Sequence, residues 1–395
     1  MHRTVRRAVI IGNGFAGAEN QCYGLIRALG LFNRHSFYRV RRPKDGISKW
    51  LNWLPVSTHK RLDQLKRQLY DRQFIFSGHG QKAAARLGEL MPHSAVNAGA
   101  DQSDIQEADA QLIATNASEN FEKDGPLLVV ASGRDTISVA SSIKRLAPHH
   151  VFNIQIQHPR SHLNRFDLVI SPCHDYYPLT PEGKKHIPWF LRMWITPRQP
   201  PGRNVVLTLA ALHQVDSAAV QSAASAWHDE LASLLRPLLV INIGGPIRHC
   251  RYGADLAREL TASLINVLPT CGSVRISFSR RTPKQVSEIV VREFHNHPKV
   301  YIWDGEDPNP HMGHLAWADA FVITADSPVY VIGAERCTWK FAYFQKCLQE
   351  RGIVRPFTGK ENISETWIYP PLRDTAEAAE HVIEALAGRG WKLHT

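Results

Sequence analysis

The chain has 395 residues, of which 44% are hydrophobic and 21% are charged, and its formal net charge at pH 7 is +11. This balance is typical of a globular protein and excludes collagen, a coiled coil and wholesale disorder. No apolar run reaches the ~18 residues that a membrane-spanning helix needs. The basic start MHRTVRR continues into a core-like strand, which is not the pattern of a signal peptide. The length predicts roughly two to three domains.

The positive charge is concentrated near the N-terminus. Residues 1–72 contain 15 Lys and Arg against 4 Asp and Glu, whereas the other 323 residues contain 32 of each. Tryptophans lie among these cations, and the combination favours binding to an anionic membrane surface. A core-packed helix with a solvated charged face is the alternative interpretation. The candidate membrane-binding residues are Arg39, Arg41, Arg42, Lys49, Trp50, Trp53, Lys60 and Arg61.

Two other ligand classes are not predicted. The basic region carries no nucleic-acid motif, so we expect no nucleic-acid partner. The six cysteines form no CxxC pair and fit no zinc module, so we expect reduced thiols and no metal site.

Apolar runs alternate with helical segments along the chain, which predicts an α/β protein with doubly wound parallel sheets. The first domain is expected to comprise residues 1–93 and 127–215. Residues 94–126 are polar, small and acidic, and we expect a flexible loop there. Residues 236–372 form the second domain, and residues 373–395 form a C-terminal helix.

Glycine-rich sequences follow several predicted strands, where open α/β sheets bind ligands. The first matches GxGxxG, the pattern of dinucleotide sites, but the next strand ends in arginines instead of the acid that holds a ribose. The glycines are equally typical of a tight strand-to-helix turn. In the second domain an arginine pair follows a strand and suits a diphosphate. The candidate cofactor-binding residues are Gly12, Gly14, Gly17, Gln21, Ser132, Gly133, Arg134, Gly244, Gly245, Arg280, Arg281, Asp326 and Ser327.

No catalytic residue is assigned, because the sequence contains no GxSxG, HExxH or Walker A motif.

Longer strings point to a family. In chain order they include GNGFAGAENQCYGLIRALG, SGRDTISVASSIKRLAP, QIQHPRSHLNRFDLVISPCHDYY, LTLAALHQVD, INIGGP, SFSRRTP and DGEDPNPHMGHLAWADAFVITADS. Together they resemble the plant mitochondrial fission proteins of the elongated-mitochondria family, over nearly the whole chain except residues 94–126. The resemblance implies two Rossmann-like halves in a GT-B-like arrangement, with the C-terminal helix packing back on the first half.

The same resemblance implies a function. It suggests a mitochondrial fission factor without a cofactor, peripheral on the cytosolic face of the outer mitochondrial membrane or in the cytosol, that recruits a dynamin-related GTPase to division sites. The alternative is a GT-B glycosyltransferase with a nucleotide-sugar donor. Its acceptor cleft would use Gly12, Gly14 and Gln21, and its donor cleft would use Gly244, Gly245, Arg280, Arg281 and Asp326.

The chain departs from the family pattern after Ser327. Pro328 and a further apolar run follow at once, where the family has a crossover helix. Two consecutive parallel strands need a crossover of about a dozen residues. We therefore expect a shortened variant in which one strand is lost or the two runs merge into a single strand broken at Pro328. Its second cleft would be compromised.

Overall fold

The computed structural model describes residues 3–40, 106–160, 162–192, 197–246, 253–303, 305–306, 308–324, 330–332, 339–365 and 371–394. The chain divides into two compact units. Unit 1 consists of Met1–Ser171, Gly202–Val206 and Thr375–Thr395, and unit 2 consists of Pro172–Pro201 and Leu207–Asp374.

The strands of both units are short, with at most six residues each. In chain order they are β1 (Arg3–Val5), β2 (Arg7–Gly12), β3 (His35–Arg39), β4 (Gln106–Glu107), β5 (Leu127–Ser132), β6 (Val151–Ile156), β7 (Leu168–Pro172), β8 (Val205–Thr208), β9 (Leu238–Ile243), β10 (Ser273–Phe278), β11 (Val300–Ile302), β12 (Ala320–Thr324), β13 (Tyr330–Ile332) and β14 (Trp391–Leu393).

The helices connect these strands. In chain order they are α1 (Ala16–Ala28), α2 (Ala110–Glu119), α3 (Phe121–Asp124), α4 (Ile137–Leu146), α5 (Pro181–His186), α6 (Trp189–Arg192), α7 (Ser217–Ala226), α8 (His228–Leu231), α9 (Ala254–Val267), α10 (Lys284–Phe294), α11 (His311–Trp317), α12 (Trp339–Glu350) and α13 (Asp374–Ala387).

Unit 1 is built on a seven-stranded sheet with the order β4-β3-β2-β5-β6-β7-β8. The registered pairs from β4 to β7 are all parallel. Strands β5 and β6 are buried along their whole length, as continuous apolar runs in a doubly covered parallel sheet must be. The winding direction reverses between β2 and β5, so the prediction of a doubly wound α/β half is confirmed.

The predicted flexible loop at residues 94–126 is wrong for the part that the structure describes, residues 106–126. Strand β4 extends the sheet there, and α2 begins with Asp109, whose Oδ1 accepts the backbone N–H of Gln111 at 2.8 Å. Helix α2 buries Ile113 and Ala117 in the core of unit 1. Its buried face is made mainly of alanine, which leaves little apolar periodicity in the sequence.

The C-terminal segment belongs to unit 1, as predicted. Helix α13 buries Ala378, Val382 and Leu386, and β14 then pairs in parallel with β1. The Trp391 ring packs edge-on against Phe152 of β6, with 6.4 Å between the ring centroids. The last helix and strand therefore complete a unit whose other elements all precede unit 2's residues 207–374 in the chain.

Beside this packing lies a buried carboxylate. Asp167 accepts a hydrogen bond from the Asn153 backbone N–H at 2.7 Å and pairs with Lys144 Nζ at 2.9 Å. It also pairs with Arg389, which lies between α13 and β14. Burial lowers the pKa of Lys144, although the carboxylate of Asp167 acts in the opposite direction. The ion pairs tie the end of the chain to the centre of unit 1.

Unit 2 contains a five-stranded sheet with the order β11-β10-β9-β12-β13. All registered pairs are parallel, and the winding reverses between β9 and β12. One face packs against α9 and α10 through residues such as Leu256, Leu260 and Val290. The second half is therefore α/β with a doubly wound parallel sheet, as predicted.

The predicted loss or merger of strands after Ser327 is wrong. Strands β12 and β13 are separate neighbours that pair in parallel, with Val322 opposite Tyr330 and Thr324 opposite Ile332. Only residues 325–329 lie between them in the chain, fewer than most parallel crossovers contain. Strand β13 supplies the hydrogen-bonding partner for the edge of β12 that β9 leaves uncovered.

The predicted end of the first domain at residue 215 also differs from the observed division. Residues 173–179 form a short 3-10 helix that packs on α12 of unit 2, and the Tyr177 and Tyr343 rings lie 5.1 Å apart. In the sequence, this segment lies between two apolar runs that predict strands of the first domain, and nothing in it indicates packing on a later helix. The segment 172–201 therefore groups with unit 2.

Candidate functional site

The carboxyl ends of β2 and β5 meet where the sheet of unit 1 reverses its winding, and those of β9 and β12 do so in unit 2. Open α/β sheets bind ligands at such points. Most of the sequence-predicted cofactor residues that the structure describes lie at these two places. Their hydrogen bonds decide what each place can hold.

The glycine loop of unit 1 is occupied by the chain's own carboxylate. Glu19, only 7% exposed, accepts the backbone N–H of Gly14 at 2.7 Å. The same carboxylate accepts two hydrogen bonds from Arg39, at 2.9 Å from Nε and 2.8 Å from Nη2. A carboxylate thus lies at the start of α1, where the helix dipole favours negative charge and where a dinucleotide site would place a phosphate.

The other two glycines of the motif, Gly12 and Gly17, differ in the space around them. A Cβ on Gly12 would lie 2.5 Å from Glu19 Oε1 and 2.6 Å from Phe37 Cζ, so glycine is required there to admit Glu19. A Cβ on Gly17 would meet nothing within 4 Å, although the third glycine of a dinucleotide motif serves close helix–strand packing. The hydrogen bonds around the motif are those of an internal turn, and the assignment of a cofactor to its glycines stays a prediction.

Gln21 and the loop after β5 complete this region. The Gln21 Nε2 donates to the Gly17 carbonyl at 3.2 Å, so its amide is engaged within α1. Gly133 has φ +86°, and a Cβ there would lie 2.7 Å from Asn13 Nδ2. The Ser132 hydroxyl is buried and has no hydrogen-bond partner among the described residues, whereas Arg134 is exposed. The structure brings the β2 and β5 loops together, as their positions in the sheet predict.

In unit 2 the glycine loop after β9 is tied to its neighbours. Gly244 donates its N–H to the Thr324 hydroxyl at 2.8 Å, and the Thr282 hydroxyl donates to the Gly244 carbonyl at 2.9 Å. A Cβ on Gly245 would lie 2.2 Å from the carbonyl oxygen of Arg281. The backbone groups that would cradle a diphosphate thus face the turn after β10 at close range.

The remaining predicted cofactor residues are less constrained. Arg280 and Arg281 are exposed in that turn, whose Ser279 hydroxyl accepts the Arg281 backbone N–H at 3.2 Å. Asp326 and Ser327 lie outside the described residues. Their roles, like those of the other cofactor residues, stay predictions.

Of the predicted membrane-binding residues, the structure describes Arg39 alone. Its guanidinium is held by Glu19 and its side chain is 39% exposed, so its charge is already balanced within unit 1. The others lie outside the described residues, and they are Arg41, Arg42, Lys49, Trp50, Trp53, Lys60 and Arg61. Within the part of the chain that the structure describes, no helix has the length and hydropathy to cross a membrane.

Sequence reasoning missed Glu19. The signal available was an acidic residue within the first turn of an otherwise small and apolar helix segment, together with an arginine at the end of the next strand. An acid there is favourable to the helix dipole in any case. Only the structure shows that the acid reaches the glycine loop.

Comparison with known proteins identifies relatives over most of the chain. The model of the family described as mitochondrial fission ELM1 matches residues 16–386. The mitochondrial fission protein ELM1 of Arabidopsis thaliana is 57% identical over 408 aligned residues, which cover 100% of this chain and 94% of that protein. An uncharacterized protein of Rickettsia prowazekii, RP120, is 28% identical over 292 residues, covering 67% of this chain and 81% of its own length.

Two solved structures match most of the length of this chain at low sequence identity. The UDP-GlcNAc 2-epimerase of Methanocaldococcus jannaschii is 10% identical, with 96% of this chain and 99% of that chain covered and a TM-score of 0.47. The MurG of Acinetobacter baumannii is 12% identical, with 96% and 99% covered and a TM-score of 0.38.

The fold defines a class, the α/β proteins with two doubly wound parallel sheets. In this member of the class, the glycine loops at the sheet edges donate hydrogen bonds to side chains of the same chain. Within this class, the chain belongs to the mitochondrial fission ELM1 family.

Proposed function

We propose that the protein is a mitochondrial fission factor that acts at the cytosolic face of the outer mitochondrial membrane and brings a dynamin-related GTPase to division sites. The observation that carries the proposal is the 57% identity to an Arabidopsis fission protein along the whole chain. At such identity over the full length, relatives share their fold.

The hydrogen bonds of the glycine loops argue against an enzyme that holds a phosphate there, and so favour the adaptor role. Gly14 donates to Glu19 and Gly244 donates to Thr324, so the N–H groups best placed for phosphate have internal acceptors. No observation favours the glycosyltransferase alternative over this interpretation.

The test is co-sedimentation of the purified chain with vesicles of outer-membrane composition, with and without a dynamin-related GTPase. We expect the GTPase to sediment with the vesicles only when the protein is present. Equal sedimentation of the GTPase without the protein would refute recruitment.

A cellular test addresses fission itself. Expression in Arabidopsis plants that lack their own ELM1 should restore the length distribution of mitochondria. A protein that accumulates normally but leaves mitochondria elongated would contradict the fission role, even if it bound vesicles in solution.

A further inference from the structure

Two aromatic side chains project from unit 2 into solvent. Trp189 is 76% exposed and Phe190 is 55% exposed, and their rings meet edge-on with centroids 6.2 Å apart. Both lie on the single turn of α6. Adjacent, large and exposed aromatic residues are uncommon on a soluble surface and mark a contact with a partner or a membrane.

The segment that carries these rings is firmly held. Helix α5 begins at the Thr180 cap, whose hydroxyl accepts the Gly183 N–H at 3.0 Å, and a Cβ on Gly183 would lie 1.9 Å from the Tyr177 carbonyl oxygen. The Tyr177 hydroxyl and His186 Nδ1 share a hydrogen bond of 2.7 Å. Ile187, between α5 and α6, is 1% exposed. The start and the end of α5 are thus both fixed to the body of unit 2.

The side chain of Arg192 donates hydrogen bonds to the backbone that precedes the aromatic pair. Arg192 Nε donates to the Ile187 carbonyl at 3.0 Å, and Nη2 donates to the Lys184 carbonyl. These bonds join the last residue of α6 to the residues before it. The aromatic rings are therefore presented by a braced turn, and their exposure is a property of the fold.

Three cationic residues lie close to the aromatic pair in the sequence. Lys184 and Lys185 are exposed and have no ion-pair partner within the described part of the chain, and Arg192 adds a third positive charge. The one acidic residue of the segment, Glu182, is paired with Lys346. The segment from residue 184 to residue 192 thus combines three cations with two exposed aromatic side chains.

We propose that this surface, formed by Lys184, Lys185, Trp189 and Phe190, docks on an anionic membrane, with the rings at the level of the headgroups and the lysines on lipid phosphates. Aromatic residues favour the membrane interface, and each nearby Lys adds attraction to anionic lipid. A protein partner fits less well, because lysine is depleted in protein–protein interfaces and two rings form too small an apolar core.

The inference adds to the proposed membrane association a surface distinct from the basic residues 39–61. The inference rests on the proposed membrane association. Vesicle binding by the purified chain tests the surface without the GTPase, so recruitment is tested separately. The probe is vesicles of phosphatidylcholine with and without phosphatidylserine. We expect the wild-type chain to bind only the mixed vesicles tightly.

Two pairs of substitutions test the surface. Trp189→Ser with Phe190→Ser should weaken binding roughly tenfold or more, because the interfacial rings are lost. Lys184→Glu with Lys185→Glu should weaken binding to the vesicles that contain phosphatidylserine roughly tenfold or more, because two cations near the lipid surface are replaced by anions. Matched controls are Leu235→Ser, which removes an exposed apolar side chain elsewhere in unit 2, and Lys284→Glu with Arg292→Glu, which makes the same charge change on α10. Both controls should bind as the wild type does.

Circular dichroism and urea denaturation establish that each variant is folded. A second measurement reports insertion directly: brominated lipid should quench part of the tryptophan fluorescence of the bound wild type, and Trp189→Phe should lose that part while still bound. Unchanged binding of the aromatic variant would overturn the proposal. So would a wild-type chain that binds both vesicle types equally, or one whose quenching Trp189→Phe leaves unaltered.

Discussion

At the scale of single residues, the pair formed by Glu19 and Arg39 holds the first glycine loop in place. Glu19 is nearly buried, so removal of its partner leaves a charge without compensation. We expect Arg39→Met to lower the free energy of unfolding by about 2 kcal/mol, less than for a fully buried pair because the Arg39 side chain is 39% exposed. Urea denaturation at neutral pH measures the change.

Glu19→Gln with Arg39→Met provides the control. The amide still offers an oxygen to the Gly14 N–H and needs no cation, so the double variant should be more stable than Arg39→Met alone. If the double variant is the less stable of the two, the ion pair does not account for the stability of the loop.

His314 of α11 makes unit 2 sensitive to acid. Its ring is 2% exposed and has no partner for Nδ1 among the described residues, and burial, with the charges of Arg275 and His311, lowers its pKa to about 4. The unfolded chain therefore binds the proton first, below the ordinary His pKa of 6.5. The contribution of His314 to stability is complete above pH 6.5 and is lost as the pH falls towards 4.

We expect the wild type to lose on the order of 2 kcal/mol of unfolding free energy from this site between pH 7 and pH 4.5. His314→Gln removes the titrating group and should reduce the loss over that interval, at some cost in stability at pH 7. Urea denaturation across the interval gives the comparison. An identical pH dependence in both proteins would show that other groups cause the acid sensitivity.

At the scale of elements, α13 and β14 act together as one unit of packing. Trp391 covers Phe152, and the Arg389 guanidinium lies 5.3 Å from the centre of the Phe152 ring. We expect Trp391→Ala to cost about 3 kcal/mol, since a large buried ring is removed from a close-packed site. Hydrogen exchange should show the loss of protection first in β6 and β1. Lys392→Ala, at an exposed position of the same strand, should have little effect.

The elements also show how far the sequence could lead. The strands β2, β5, β6 and β9 are dense apolar runs, so their positions and the α/β class could be predicted. Helix α2 was not predicted, because alanine supplies its buried face. The role of Glu19 was not predictable either, since its bonds to Gly14 and Arg39 join a helix to a loop and to the end of another strand. The motif glycines indicate only that the turn is tight.

At the scale of the whole molecule, both places where a two-sheet α/β protein binds ligands are bonded internally. We expect titration with UDP-GlcNAc, UDP and NADPH to give flat isotherms, because Gly14 and Gly244 already have acceptors. Isothermal titration calorimetry is the measurement. Saturable binding of UDP-GlcNAc that Gly245→Ala abolishes would restore the glycosyltransferase alternative, whereas binding unaffected by that change would locate the nucleotide elsewhere.

The path of the chain through the two units has a consequence for synthesis on the ribosome. Most of unit 1 precedes unit 2 in the chain, but unit 1 is completed only by Thr375–Thr395. While unit 2 is being translated, Phe152 lacks its ring contact with Trp391, and strand β1 lacks its pairing with β14. The nascent chain therefore exposes an apolar face and an unpaired strand edge for the time that some 200 residues take to be made, which is the kind of surface that chaperones bind.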